Sequence, residues 1–315
     1  MVRAECTKVT LKMRRRFSAL NALHEKGYLV QETQSVRQGR NSEILLVKTQ
    51  NKEYALKIFN DKKTFDGGSR FLNEIGFLKY AEESHIKNVP IVHEQCRKDG
   101  WALLDWIEGK PVRELTHGDI QMIADFIGEI NSTDIKRRMK LQRAAESVQS
   151  LNSLCINLEK RKKYLEKISD GVNRENLGNL IENINNEIDF LNAKGDKPHW
   201  QSKYVGTFAS QSDVGIHNMI RCTKGSIKFI DFEYAGRDDI SKTIADIVVN
   251  PNYVFTRHQE ETLIGRVKDK IEEGDDWIFR YQDIKRAIRL KWCILIHGRK
   301  NYSKKMLRYI KDTTK

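Results

Sequence analysis

Between Ser210 and Asp239 the chain reads SQSDVGIHNMIRCTKGSIKFIDFEYAGRDD, and this stretch limits what the whole can be. Asp213 is followed by Asn218, and Asp231 closes the apolar run that begins at Ile227. Two carboxylates and an amide, all oxygen ligands, thus flank a short segment of β character. Hard cations such as Mg2+ take oxygen ligands and usually share them with phosphate. A hydroxyl nucleophile in turn needs a carboxylate near its proton. Taken singly, D-x-x-x-x-N recurs by chance, and an Asp after a strand is most often a turn residue. The two together at this distance are a far more specific signal.

The segments SDVGIHNMI and FIDFEYAGRDD resemble the catalytic and metal-binding segments of the aminoglycoside phosphotransferase and choline kinase family of small-molecule kinases. That family's pattern is H-x-D-x-x-x-x-N, then I-D-[FW]-E-Y-A-G, and the likeness extends over most of the chain. Gln211 departs from it, standing where the family usually has a His, which bears on loop geometry more than on chemistry. The resemblance implies an α+β, two-lobed protein kinase-like fold. Residues 1–107 would form a small antiparallel-sheet N-lobe that binds nucleotide. Residues 108–315 would form a larger, mostly helical C-lobe for catalysis and acceptor binding, with a helical hairpin inserted at about 136–193.

Composition bounds the alternatives. A chain of 315 residues, 39% hydrophobic and 31% charged, can bury a substantial core in one large or two ordinary domains. No apolar stretch approaches the ~18 residues that span a bilayer, and the basic N-terminus lacks a signal peptide's apolar core. Five scattered cysteines without C-x-x-C read as reduced thiols, so a cytoplasmic location is expected. The formal charge of +13 is compatible with nucleic acid, an anionic membrane surface or an anionic substrate. Its Lys and Arg residues are spread over many helices and not interleaved with aromatics on one element, which argues against nucleic acid. It also argues against a polycationic substrate such as an aminoglycoside.

Along the first lobe, residues 7–26 are loosely helical and basic, and Leu29–Val36 reads as a strand. Gly39, Arg40, Asn41 and Ser42 then precede two further strands, EILLVKT and YALKIF. A glycine with small polar neighbours lets backbone N–H groups approach phosphate, although most such turns are plain hairpins. Lys57 is the single charge in Ala55–Phe59. Strand alternation permits it to face solvent; facing inward, it needs an anionic partner. Glu74, beside the Phe71, Ile75 and Leu78 stripe of the next helix, can be that partner. In the resemblance Lys57 meets the α- and β-phosphates, and WALLDWIEGKPV is the hinge, with the backbone of Asp105, Trp106 and Ile107 around the adenine. Backbone recognition leaves ATP and GTP equally open.

In the second lobe, Thr116 caps a helix carrying Ile120, Ile123, Ile127 and Ile130. From residue 136, two series step by seven: Leu141, Val148 and Cys155, and Ala144, Leu151, Leu158 and Leu165. Leu177, Ile181, Ile184, Ile188 and Leu191 follow after Asp170-Gly171. An antiparallel helical hairpin is expected, as a scaffold or as the contact of a homodimer. Helices are expected again over Ile240–Val249, about Gln259–Ile271 and Asp283–Ile296. Trp277, Tyr281 and Trp292 can line an acceptor pocket, though aromatics at helical spacing more often fill cores.

The chemistry implied by the resemblance is transfer of the γ-phosphoryl from ATP to a hydroxyl. Asp213 orients the hydroxyl and takes its proton, Asn218 and Asp231 hold Mg2+, and Lys57, kept in place by Glu74, offsets phosphate charge. Gly215 stands where protein Ser/Thr kinases usually carry a Lys, and no D-F-G or A-P-E follows, so a sugar or amino alcohol is preferred to a protein acceptor. An atypical protein kinase and a nucleotide-binding pseudokinase regulator are the alternatives. His217 is structural, or a second acid or base.

Overall fold

Alternating apolar and polar residues between Ser42 and Phe59 build the strands around which the first part of the chain packs. The computed structural model describes residues 2–38, 41–60, 63–168, 174–195, 197–298 and 303–314. Two compact units emerge: Met1–Lys110 with Ile220–Tyr234, and Pro111–Met219 with Ala235–Lys315. Among the described residues no helix is long and apolar enough to cross a membrane.

In the first unit, helix α1 (Val2–Glu25) leads into a sheet of β1 (Val30–Gln38), β2 (Ser42–Thr49), β3 (Glu53–Phe59), β4 (Val92–Cys96) and β5 (Trp101–Asp105). The strand order is β1-β2-β3-β5-β4, and every neighbouring pair is antiparallel. One face is closed by α1, whose Ala19 and Leu23 join Leu45, Val47, Leu56, Ile58, Trp101 and Leu103 in a fully buried cluster. Between β3 and β4 lies α2 (Arg70–Glu83), started by Ser69, whose hydroxyl accepts from the Leu72 N–H.

Past β5 come β6 (Lys110–Pro111) and α3 (His117–Ile130). Thr116 begins α3 with a reciprocal capping box to Asp119, as its sequence predicts. There follow α4 (Ile135–Arg138), α5 (Leu151–Ile168), α6 (Arg174–Asn192), β7 (Phe208–Ser210), β8 (Met219–Arg221), β9 (Ile227–Phe229) and β10 (Gly236–Asp238). The chain closes with α7 (Ile240–Val248), α8 (Arg257–Lys268), α9 (Asp276–His297) and α10 (Lys304–Thr314). In the second unit α9 is the central element, contacted by α5, α6, α7 and α10, while α3 packs on α8.

Two expectations change. Seven-residue steps from Leu141 predict helix, but α5 begins only at Leu151. Leu141, Ala144 and Val148 are buried all the same. Their backbone serves β10 instead: Ala144 N–H donates to Arg237 O at 3.0 Å and Arg237 N–H to Gln142 O at 2.8 Å. Gly236 permits this approach, since a Cβ there would lie 2.3 Å from Gln142 O. Glu146, at φ 51°, turns the chain through the left-handed region, and its carboxylate accepts from Arg161 Nε at 2.8 Å.

A single division at residue 107 is also replaced, because 220–234 belongs with the first unit. Its anchors are local. Phe229 N–H donates to Asn88 O at 2.8 Å, and Phe232 stacks on Phe77 of α2 with centroids 4.9 Å apart.

Candidate active site

Lys57 sits on β3 with 2% of its surface exposed, so alternation does not turn it outward. Its ammonium is 2.5 Å from Glu74 Oε2 on α2 and 2.6 Å from Asp231 Oδ1, and 5.2 Å from the Phe59 ring centroid. Burial opposes the charge, but Asp231 and Glu74 outweigh it and raise the lysine's pKa. Two carboxylates around one ammonium leave an excess of buried negative charge. Burial accordingly pushes Glu74, the more enclosed of the two, up to about 7 against the pull of Lys57.

That shift has a measurable sign. Glu74 titrates at 4.5 when unperturbed and at about 7 in the fold, so the folded state holds the extra proton between those values. Its contribution to stability is fully present below pH 4.5 and is lost as pH rises through about 7. Glu74→Gln removes this titration. Denaturation midpoints of wild type should fall relative to the variant across that window, and a constant difference would refute the assignment.

Asp231 has φ 66°, a left-handed conformation rarely adopted by residues other than glycine. Such strain clusters at functional sites. Two residues on, Glu233 is 3% exposed and accepts from Arg70 Nη1 at 2.9 Å and from Asn41 Nδ2 at 2.7 Å. Asn41 Nδ2 also reaches Tyr234 OH at 3.0 Å, over whose ring the Arg70 guanidinium lies at 4.6 Å. Asn41, which the sequence assigns to a phosphate-covering turn, is therefore tied to the segment after Asp231. Ser42 opens β2, while Gly39 and Arg40 lie outside the described residues. Arg70 and Glu233 have no role in the sequence-based site. The available signal was that Arg70 precedes Glu74 by one helical turn.

At the end of β5, the Asp105 carboxylate accepts from Lys52 at 2.8 Å, His93 Nε2 at 2.8 Å and Ile91 N–H at 3.1 Å. Its own N–H donates to Ile91 O at 3.0 Å. Burial would raise its pKa, but Lys52, His93 and the Ile91 N–H hold it below the usual carboxylate range. Trp106 and Ile107 continue beyond the strand, outside any helix or strand.

In the second unit, β7 pairs antiparallel with β10 and delivers the chain into the loop that carries Asp213. Ser212, at φ 66°, makes the turn; its N–H donates to Ser210 Oγ at 2.9 Å and its hydroxyl meets Lys242 Nζ at 3.3 Å. The Asp213 carbonyl accepts from Gly215 N–H and from Asn218 Nδ2, each at 3.0 Å. Because the Asn218 amide donates backwards, its Oδ1 is the free acceptor. Asp213 Oδ1 and Asn218 Oδ1 are both buried, and neither has a hydrogen-bond partner among the described residues.

Buried acceptors left open in this way point to a water or an ion. Carboxylate and amide oxygens are the donors that Mg2+ takes. Among the described residues no group of three His, Cys, Asp or Glu is gathered to hold a metal alone. A cation here would share its ligands with phosphate, which is how Mg2+ is usually bound.

Beneath this loop the acidic residues are engaged structurally. Lys242, 1% exposed, lies between Asp238 at 2.7 Å and Asp246 at 3.1 Å. Asp246 also accepts from Lys291 at 2.6 Å and Trp292 Nε1 at 3.2 Å. Burial alone would raise Asp246, but Lys291 and Lys242 pull it below the ordinary carboxylate value. Burial pushes Asp238 up to about 6 despite Lys242. Asp239 caps α7 through Ser241 N–H at 2.9 Å and pairs with Arg280 at 3.0 Å. Trp277 and Tyr281 are core residues, 0% and 3% exposed.

No protein-family model matches the chain, and no curated protein matches it in sequence. Solved structures do match. The choline kinase of Cryptosporidium parvum Iowa II gives a TM-score of 0.61 at 13% identity, covering 90% of this chain and 87% of that one. Choline kinase LicA from Streptococcus pneumoniae gives 0.61 at 16% identity over 95% and 96%. ADP-bound aminoglycoside phosphotransferase APH(2'')-Ib gives 0.60 at 15% identity over 94% and 95%. The chain has the α+β, protein kinase-like fold seen in these small-molecule kinases.

Proposed function

We propose that this protein is a phosphotransferase that moves the γ-phosphoryl of ATP or GTP to a hydroxyl of a small metabolite, a sugar or amino alcohol in preference to an aminoglycoside. The observation that carries this is Lys57, a fully enclosed ammonium held by both Glu74 and Asp231. Lys242 also lies between two carboxylates, but both of those are buried, at 0% and 4% side-chain exposure. Asp231 keeps 25% of its side chain exposed, so Lys57 is poised to exchange that contact for phosphate oxygens. Support also comes from the solved structures with this fold, which include choline kinases and an ADP-bound phosphotransferase.

In this mechanism Asp213 orients the acceptor hydroxyl and accepts its proton as the bond to phosphorus forms. Asn218 and Asp231 each offer an oxygen to Mg2+, which when bound neutralises charge on the phosphate tail. Lys57, fixed by Glu74, does the same at the α- and β-phosphates. Asp105, Trp106 and Ile107 serve the base through their backbone, and Asn41 and Ser42 stand at the phosphates.

The test is ADP release with ATP or GTP and Mg2+ against a panel of sugars, amino alcohols and aminoglycosides. At least one hydroxylated metabolite should stimulate release, and Asp213→Asn should abolish the stimulation. Tight nucleotide binding without stimulation by any acceptor would favour a binding protein instead.

A further inference from the structure

His217 is adjacent to Asn218 in the loop, and its ring turns back over the residue two positions earlier. A Cβ built on Gly215 would lie 2.5 Å from His217 Cε1 and 2.6 Å from Nδ1, with Asn250 Nδ2 at 3.3 Å. No side chain can occupy position 215 without displacing the imidazole. From this place His217 Nε2 lies 3.2 Å from Asp213 Oδ2. A carboxylate only accepts hydrogen bonds, so Nε2 carries the proton.

The other Asp213 oxygen, Oδ1, is buried and without a hydrogen-bond partner among the described residues. The two oxygens of one carboxylate are thus distinguished, one held by the imidazole and one turned inward. The carbonyl of the same residue is fixed by Gly215 N–H and Asn218 Nδ2. What is left to set is rotation of the carboxylate about its own bond, a broad and roughly two-fold torsion.

We infer that His217, admitted by the absence of a side chain at Gly215, is a positioning residue that pins Asp213 Oδ2 and so fixes the rotation of the carboxylate that meets the acceptor hydroxyl. The inference rests on the phosphotransferase function proposed above. It also gives Gly215 a purpose: the glycine makes room for a group that acts on the neighbouring carboxylate.

Four variants and two readouts test this. Phosphoryl transfer from ATP is measured to water and to whichever polyol or amino alcohol of the panel is most active. His217→Ala and Gly215→Ala should each lower kcat by about 10- to 100-fold with the nucleotide KM unchanged, as expected for a misaimed catalytic group. His217→Gln, which keeps an N–H donor of similar reach, should recover most of the loss. In parallel, 15N-histidine spectra at alkaline pH, where imidazole is neutral, should show His217 as the Nε2–H tautomer in wild type. The signal should shift in Gly215→Ala and Asp213→Asn.

A His217→Ala enzyme with unaltered kcat, alongside an inactive Asp213→Asn, would overturn the positioning role and leave the proposed activity standing. An active Asp213→Asn would remove the activity's premise instead. Finding the Nδ1–H tautomer in wild type overturns the inference without reference to turnover.

Discussion

Asp213→Asn should lower phosphoryl transfer by about 10²- to 10⁴-fold, the range for loss of a positioned proton acceptor. Nucleotide affinity and thermal stability should stay near wild type. The substitution keeps the size of the side chain, and the carbonyl that receives Gly215 N–H and Asn218 Nδ2 is untouched. Only the charge and the basicity of the group change. ADP release at saturating nucleotide and metal, together with calorimetric titration of the nucleotide, separates the two effects. Comparable loss of binding and turnover would mean that the residue organises the loop and does not act in the chemistry.

Lys242→Met should act on the fold. Lys242 is 1% exposed and is flanked four positions away on either side by Asp238, at the end of β10, and Asp246, on α7. Removing one member of a buried charge pair costs about 3–5 kcal/mol, because the remaining charge is left without compensation. Asp246 retains Lys291 and Trp292, whereas among the described residues Asp238 keeps only the backbone N–H groups of Val148 and Asp239. The double variant Asp238→Asn/Lys242→Met should therefore recover a large part of the loss. Chemical denaturation measures both, and a single-variant loss below about 1 kcal/mol, the level of exposed pairs, would contradict burial of the charge.

Much of the fold was legible because its signals are local. Alternation in EILLVKT and YALKIF marks adjacent strands, and Thr116 marks a helix start. The spacing Asp213, Asn218 and Asp231 lies within one short stretch of chain. Lys57 could be matched to Glu74 because a lone charge in an apolar strand needs a partner. That Asp231 also holds Lys57, and that Asn41 and Arg70 converge on Glu233, was not readable. Those contacts join segments 163 to 192 positions apart, and no periodicity encodes which distant carboxylate arrives.

The stretch from Leu141 to Val148 failed for a different reason. Its apolar steps record burial correctly, but burial is indifferent to where the backbone N–H groups go. Here Ala144 N–H donates to Arg237 O and Val148 N–H to the Asp238 carboxylate, so a helix-like pattern clothes an irregular segment. Trp277 and Tyr281 illustrate the same ambiguity, since their helical spacing serves the core.

The return of residues 220–234 to the first unit has a consequence for how the molecule is made. On the ribosome, Lys57 leaves the exit tunnel 174 positions ahead of Asp231. Until that segment emerges, the ammonium has Glu74 alone, and Phe77 lacks the ring that stacks on it. The amino-terminal sheet can assemble early, but its ion-pair centre is completed only after the whole helical hairpin has been translated. A fragment ending at residue 110 should therefore be a poor stand-in for the first unit, whereas a circular permutant that joins 220–234 directly to it would supply the missing half.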